Sequence, residues 1–315
     1  MMDNLLYLAK PVYGGWITYA SHLLLRDYQN KNLIYKVGNK LENKARPFGF
    51  GTFYRNIPAE SLRVIEKPIV VALDPNFYDT AQNLKEPLLI MHDTAEPKKR
   101  LYDFYHSCRR ILVPRKTIKT FLKENYELES DFVEMPFYEY PKPETDWTVK
   151  TKFKNMARVE YRKHQDIICQ ANQLLTKKGL QTVEIHGFKN GMYVFQKLQG
   201  MEFEKWYKGA YPQDFGVHTK MLEDCKFLVD MTQYVKDGGG MQYTLLQAIY
   251  HDTALILNRE WVDQPDSSWK EGVNCFAVSD HKELTELIES SPETQKVCKK
   301  ARLLLTNHTK SEFNF

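Results

Sequence analysis

Apolar positions along this chain follow two periods, and the two alternate. Short runs at Leu5–Ala9, Leu33–Val37, Ile69–Leu73, Leu88–Met91 and Ile111–Val113 read as buried strands. Between them, helical spacing predicts helices over Trp16–Arg26 (apolar at Trp16, Tyr19, Ala20, Leu23 and Leu24), Glu60–Glu66, Lys98–Ser107 and Thr117–Glu124. Strands alternating with helices predict an α/β fold with a mostly parallel sheet covered on both faces. Asn39–Asn56 mixes Gly, Pro, Arg and aromatics without a period and reads as a long loop.

Pro136–Pro143, with three prolines and two tyrosines, breaks the pattern and reads as an interdomain linker. The alternation then restarts. Strands are expected over Asn155–Val159, Gln181–His186, Lys226–Met231 and Leu255–Asn258. Helices are expected over His164–Lys177, Val217–Glu223, Met241–Tyr250, His281–Ser290 and Glu293–Leu305. The domains are therefore residues 1–140 and 141–315, two Rossmann-like halves with a cleft between them, the last helix packing back on the N-terminal half.

Composition changes this picture little. The 315 residues are 43% hydrophobic and 27% charged, enough to bury a core and too apolar for disorder. The formal net charge of +4 neither requires nor excludes a polyanionic partner. Five scattered cysteines without a Cys-x-x-Cys pair disfavour a disulfide framework and point to a reducing, cytoplasmic location. No segment reads as a signal peptide or approaches the ~18 apolar residues of a spanning helix.

Charge and glycine placement then single out candidate chemistry. Tyr13, Gly14 and Gly15 join the first strand to the first helix, where backbone N–H groups can meet an anion; a plain tight turn has equal weight. Arg158, Arg162, Lys163 and His164 lie between a strand and a helix in the second half, placed to clamp a diphosphate or to form a solvated cluster. Gly238, Gly239 and Gly240 lead into the helix that begins at Met241 and Gln242 and carries Gln247, an arrangement suited to phosphate. His92 and Asp93 follow an apolar strand and are either acid–base groups or a capping turn. Nine basic residues lie between Pro97 and Lys123 with Asp103 the one acid: Lys98, Lys99, Arg100, Arg109, Arg110, Arg115, Lys116, Lys119 and Lys123. Such a run binds a phosphate backbone or an anionic membrane, or is simply a solvated face. No metal-ligand spacing, nucleophile elbow or Walker loop is present.

In this order the pieces resemble the retaining glycosyltransferases of the GT-B fold. Met156–Lys163 and the following helix look like that family's diphosphate clamp, His186 and Gly187 like its strand-terminal glycine, and Asp230–Gln247 like its donor-binding loop and helix. Trp269–Asn274 is similar to its Gly-x-Asn segment. The run Gln242–Gln247 and the pair His92–Asp93 look closer to one branch, the T-even-like phage enzymes that glycosylate 5-hydroxymethylcytosine in DNA. The resemblance implies a nucleotide-sugar co-substrate (a UDP-sugar foremost), no obligate metal, and transfer with retention. It also implies donor contacts from Tyr13, Gly14, Gly15, Arg158, Lys163, His186, Gly187, Gly239, Gly240, Met241, Gln242 and Gln247, with Arg158 and Lys163 acting on the leaving diphosphate. His92 and Asp93 would serve the acceptor, double-stranded DNA along the basic run would be the partner, and a host cytoplasm the location if the source is viral. Glutamines stand where that branch has acids, which leaves the donor's identity open. A glycan or lipid-linked acceptor, or a non-catalytic nucleotide- or DNA-binding module of the same fold, are the alternatives; the absence of a first-strand Gly-x-Gly-x-x-Gly disfavours an epimerase or dehydrogenase.

Overall fold

The computed structural model describes residues 5–10, 14–28, 33–234, 241–264 and 267–310. The chain divides into two compact units: Met1–Glu139 with Val235–Met241 and Asn307–Phe315, and Tyr140–Tyr234 with Gln242–Thr306.

The first unit contains β1 (Leu5–Leu8), α1 (Gly15–Asp27), β2 (Leu33–Gly38), β3 (Arg46–Gly49), β4 (Thr52–Pro58), β5 (Ile69–Leu73), α2 (Tyr78–Ala81), β6 (Leu88–Ile90), α3 (Tyr102–Ser107), β7 (Arg110–Val113), α4 (Lys116–Tyr126) and β8 (Asp131–Phe132). The strands form one sheet in the order β3-β4-β2-β1-β5-β6-β7-β8. Only the β3–β4 pair is antiparallel. The β1 and β5 runs are buried at every position because helices cover both faces of a parallel sheet. Leu6, Leu8, Val70, Leu89, Ile111 and Val113 pack with helix residues such as Phe104, Ile118 and Leu122 into the core.

The second unit contains β9 (Lys152–Met156), α5 (Gln165–Lys177), β10 (Val183–His186), α6 (Gly191–Tyr193), α7 (Phe203–Trp206), β11 (Tyr207–Gly209), α8 (Phe215–Glu223), β12 (Cys225–Asp230), α9 (Tyr243–Tyr250), β13 (Ala254–Asn258), α10 (Arg259–Val262), β14 (Phe276–Val278) and α11 (His281–Ser290). The last helix, α12 (Gln295–Thr309), ends on residues assigned to the first unit. The six strands are all parallel, in the order β11-β10-β9-β12-β13-β14. Helix α5 buries Ile168, Ala171 and Leu175, the three- and four-residue spacing of one helical face. Helix α11 starts where Asp280 accepts from the N–H groups of Lys282 and Glu283 while Glu283 reaches back to Ser279 N–H.

Several expectations need correcting. Asn39–Asn56 is not one loop: β3 and most of β4 lie in it, joined through Gly49, Phe50 and Gly51, all at positive φ. Glu60–Glu66 forms only a 3-10 helix, Ala59–Val64. The strand expected at Asn155–Val159 is β9, which starts at Lys152 and stops at Met156, so Arg158 lies in the loop beyond it. The stretch Pro136–Pro143 holds the boundary between the two units, as expected of a linker, and is anchored at both ends. Phe137 stacks on His22, and Tyr138 N–H donates to His22 Nδ1 at 2.9 Å. Tyr140, in the other unit, stacks on Phe215.

Candidate active site

In the second unit, strand order runs outward one way from β9 and the other way from β12, so the loops leaving these two strands diverge and open a crevice at their carboxyl ends. Lys163 bridges the two loops. Its Nζ donates to Thr232 Oγ1 at 2.9 Å and to Gln242 Oε1 at 2.7 Å. Gln233 N–H donates to Arg162 O at 2.8 Å and ties the same loops again. Beneath them Asn155 donates to Val229 O, and Gln165 donates to Asn155 Oδ1 and Arg158 O, a buried amide chain that fixes where the β9 loop leaves the sheet.

Gln242 caps α9 by position, but its side chain is given to Lys163 rather than to the helix N–H groups. Arg158 reaches solvent and pairs with Glu160 at 3.1 Å, its side chain 69% exposed. His164 stands in the left-handed conformation before α5. Its hydrogen bond to the Asp166 carboxylate raises its pKa.

Gly187 is explained by backbone packing. A Cβ added there would lie 1.9 Å from Ala157 O, and its φ is +140°. Only glycine lets the end of β10 meet the β9 loop so closely. His186 beside it has its pKa lowered by burial, with Glu184 opposing. Gln247 does not line the crevice: it is 2% exposed and turned onto His218, and its Nε2 finds no acceptor among the described residues. Met241 is half-buried just before α9. Gly239, Gly240 and Tyr13 lie outside the described residues.

In the first unit the strand order reverses between β1 and β5. Lys10 N–H donates to Asp74 Oδ2 at 2.6 Å across that point. Gly14 precedes α1 at φ +96°, and a Cβ on Gly14 or Gly15 would meet nothing within 4 Å. The turn thus needs glycine at 14 for conformation, and the space above both is open.

His92 follows β6. Its Nε2 lies 2.7 Å from Val71 O. A carbonyl can only accept, so Nε2 carries the proton and Nδ1 keeps its lone pair. Burial lowers its pKa to about 4, so the ring is neutral near pH 7. Asp93 Oδ1 accepts Ala95 N–H at 2.8 Å, the turn-capping role of an Asp.

Glu96 is the residue sequence reasoning missed. Its two carboxyl oxygens accept Trp16 Nε1 at 3.1 Å and His92 N–H at 2.9 Å. It ties the start of α1 to the His92 loop, and burial raises its pKa to about 8. A lone Glu behind a basic run carries no motif, so only the fold reveals it.

The basic run divides between two edges of the sheet. Lys98, Lys99, Arg100, Arg115 and Lys116 follow the carboxyl ends of β6 and β7, whereas Arg109 and Arg110 lie at the amino end of β7. Arg110 opens β7, so the strand's other three residues set the two groups about 10 Å apart. Arg110 is also engaged by Asp131 at 2.6 Å, and Arg109 donates to Lys67 O. Among the described residues no three His, Cys, Asp or Glu side chains converge on a metal position, and no helix is long and apolar enough to cross a membrane.

No protein-family model and no curated protein matches the sequence. Solved structures match by fold. The Anabaena protein HepE, solved with UDP and glucose, superposes with a TM-score of 0.68 at 11% identity over 98% of both chains. An α-glucosyltransferase solved with UDP gives 0.67 at 14% identity over 98% of this chain and 96% of its own. The pneumococcal O-GlcNAc transferase GtfA, solved with UDP and GlcNAc, gives 0.58 at 12% identity over 80% of this chain and 56% of its own. The fold is therefore the α/β, two-parallel-sheet architecture of GT-B glycosyltransferases.

Proposed function

We propose that this chain is a glycosyltransferase that takes its sugar from a UDP-sugar, with retention, and transfers it to the hydroxyl of 5-hydroxymethylcytosine in double-stranded DNA. One observation carries the donor half of this reading. Lys163, held by Thr232 and Gln242, stands at the strand-order reversal of the second unit, in a fold whose solved neighbours were crystallised with UDP. Departure of a nucleoside diphosphate leaves negative charge on the phosphates and positive charge on the sugar. A positioned ammonium beside the N-terminus of α9 stabilises that leaving group electrostatically, without a step assigned to a metal. Arg158 supplies a second, more exposed cation.

The acceptor half rests on His92 and the basic run. His92, neutral with Nδ1 unprotonated, can accept a proton from a hydroxyl or hold that hydroxyl in place. Asp93 supports it as a turn residue. Lys98, Lys99, Arg100, Arg115 and Lys116, together on one sheet edge, suit a phosphate backbone.

The test incubates a panel of nucleotide sugars with hydroxymethylcytosine-containing DNA and weighs the digested nucleosides by mass spectrometry. A gain of one sugar confirms donor, acceptor and reaction class. Donor hydrolysis without DNA modification keeps the transferase and moves the acceptor to glycans. No donor binding leaves a binding module, the reading that the burial of Gln247 away from the crevice favours.

A further inference from the structure

The carboxyl ends of β1, β2 and β4 wall a cavity of about 660 Å³ that lies apart from His92 and Glu96. Lys10, Lys36, Lys40, Tyr54, Asn56 and Phe77 are on its wall. Glu42 is the one acid among its described lining residues, and it is engaged by Arg46 Nη2 at 2.6 Å.

Lys36 is the unusual member. It is only 7% exposed, in the middle of the sheet, opposite Asn56 of β4. Its ammonium carries three N–H donors, yet among the described residues its one acceptor is Lys10 O, at a long 3.3 Å. The Tyr7 and Tyr54 rings flank it, each centroid 5.2 Å away. The nearby carboxylate of Asp74 accepts instead from Lys10 N–H and from the backbone and side-chain N–H groups of Asn76. Removal from water lowers the lysine's pKa. A buried cation so poorly paired destabilises the fold, and an apolar side chain would pack there at less cost. Its position on an open cavity gives it a use: an anion entering the cavity completes its pairing.

We propose that this cavity binds the phosphate group of a ring-bearing compound, with Lys36 and Lys40 neutralising the phosphate and Tyr54 and Phe77 flanking the ring. The volume lies within the ~300–1,000 Å³ of small-molecule sites. The phosphate belongs either to the acceptor strand or to a free phosphorylated compound. The proposal rests on the transferase reading only for which of these it is.

The test uses lysine-selective NMR on the full chain carrying Lys163→Ala, which removes the buttressed cation of the proposed donor site. The Lys36 signal is assigned by its loss in Lys36→Met. Titration with inorganic phosphate is expected to move it, and Lys40→Ala, exposed at the mouth and harmless to folding, is expected to weaken that binding by roughly threefold or more. A parallel titration uses a short hydroxymethylcytosine duplex. Movement with both probes assigns the phosphate to the acceptor, and movement with inorganic phosphate alone assigns it to a free compound; either supports the cavity as a phosphate site. A Lys36 signal indifferent to inorganic phosphate overturns the proposal. UDP binding by the chain with Lys163 intact is measured alongside: its loss refutes the transferase reading and leaves the cavity result standing.

Discussion

Lys163 is held in place by neutral oxygens, those of Thr232 and Gln242. That fixes its position without placing a carboxylate on it through either bond. Lys163→Ala is therefore expected to lower transfer by about 10²-fold or more, the size of losing one well-placed charge stabiliser, with the fold intact by circular dichroism. Arg158→Ala should cost much less, since that guanidinium is 69% exposed and already shared with Glu160. Equal losses in the two variants would refute this ranking. Gln242→Glu tests the same point from the other side. A carboxylate 2.7 Å from the ammonium would compete with the diphosphate, so the Kd for UDP should rise, read by calorimetry. Gly187 belongs to a different class. Gly187→Ala drives a Cβ into Ala157 O and should lower the unfolding free energy by about 1–3 kcal/mol in urea, whatever it does to activity.

At the scale of elements, the division of the basic run sets a number. Five of its cations share the carboxyl edge of the first sheet, while Arg109 and Arg110 lie at the opposite edge. If duplex DNA binds along one edge, log K should fall with log salt with a slope of about −4 to −5 rather than the −6 expected from seven contacts, and Arg109→Ala should leave the slope unchanged. The sequence could not disclose the division, because linear proximity across a four-residue strand reads as one patch. What the sequence did disclose were elements with strong periodicity: β1, β5, β13, α1, α5 and α11 all lie where continuous or helical apolar spacing placed them. The elements it concealed are short or on sheet edges. β3 carries Pro47 and pairs on one side only, β8 has two residues, and β14 has three. Their hydrophobic signal is too brief to separate from loop. The placement of the candidate residues was legible in part. Lys163 and His92 lie in the segments that follow strand ends, where a parallel sheet opens to ligands, whereas Gln247 was expected in the crevice from linear order and is turned into the core by the phase of α9. Glu96 was invisible because its importance lies in what folds onto it, Trp16 from 80 residues away.

Across the whole molecule, the buried titratable groups predict a stability profile with a break in it. His92 and His218 are held to about 4, and His251 to about 3, chiefly by burial. A depressed folded-state value means that the unfolded chain binds more protons between that value and 6.5. These histidines therefore contribute stability that is fully present above pH 6.5 and is lost as pH falls toward 4. Glu96 acts in the opposite sense. Its value is raised to about 8, so the folded state binds the extra proton, and the stability it contributes is present below about 4.5 and lost as pH rises through 8. From 4.5 to 6.5 three histidines oppose one glutamate, and these groups together raise stability with pH. Above 6.5 these three histidines have finished titrating in both states, while Glu96 and His164, whose value Asp166 raises, still hold extra protons in the folded state, so stability falls, by at most about 1.4 kcal/mol per pH unit from each. Urea unfolding at pH 5, 6.5 and 8 should thus give a maximum near 6.5. Glu96→Gln keeps an acceptor for Trp16 or His92 N–H while removing that titration, so it should make the alkaline limb shallower and leave the acid limb in place. An alkaline limb of unchanged slope in Glu96→Gln would mean that His164 carries it, and that the carboxyl joining α1 to the His92 loop is ionised in the folded protein.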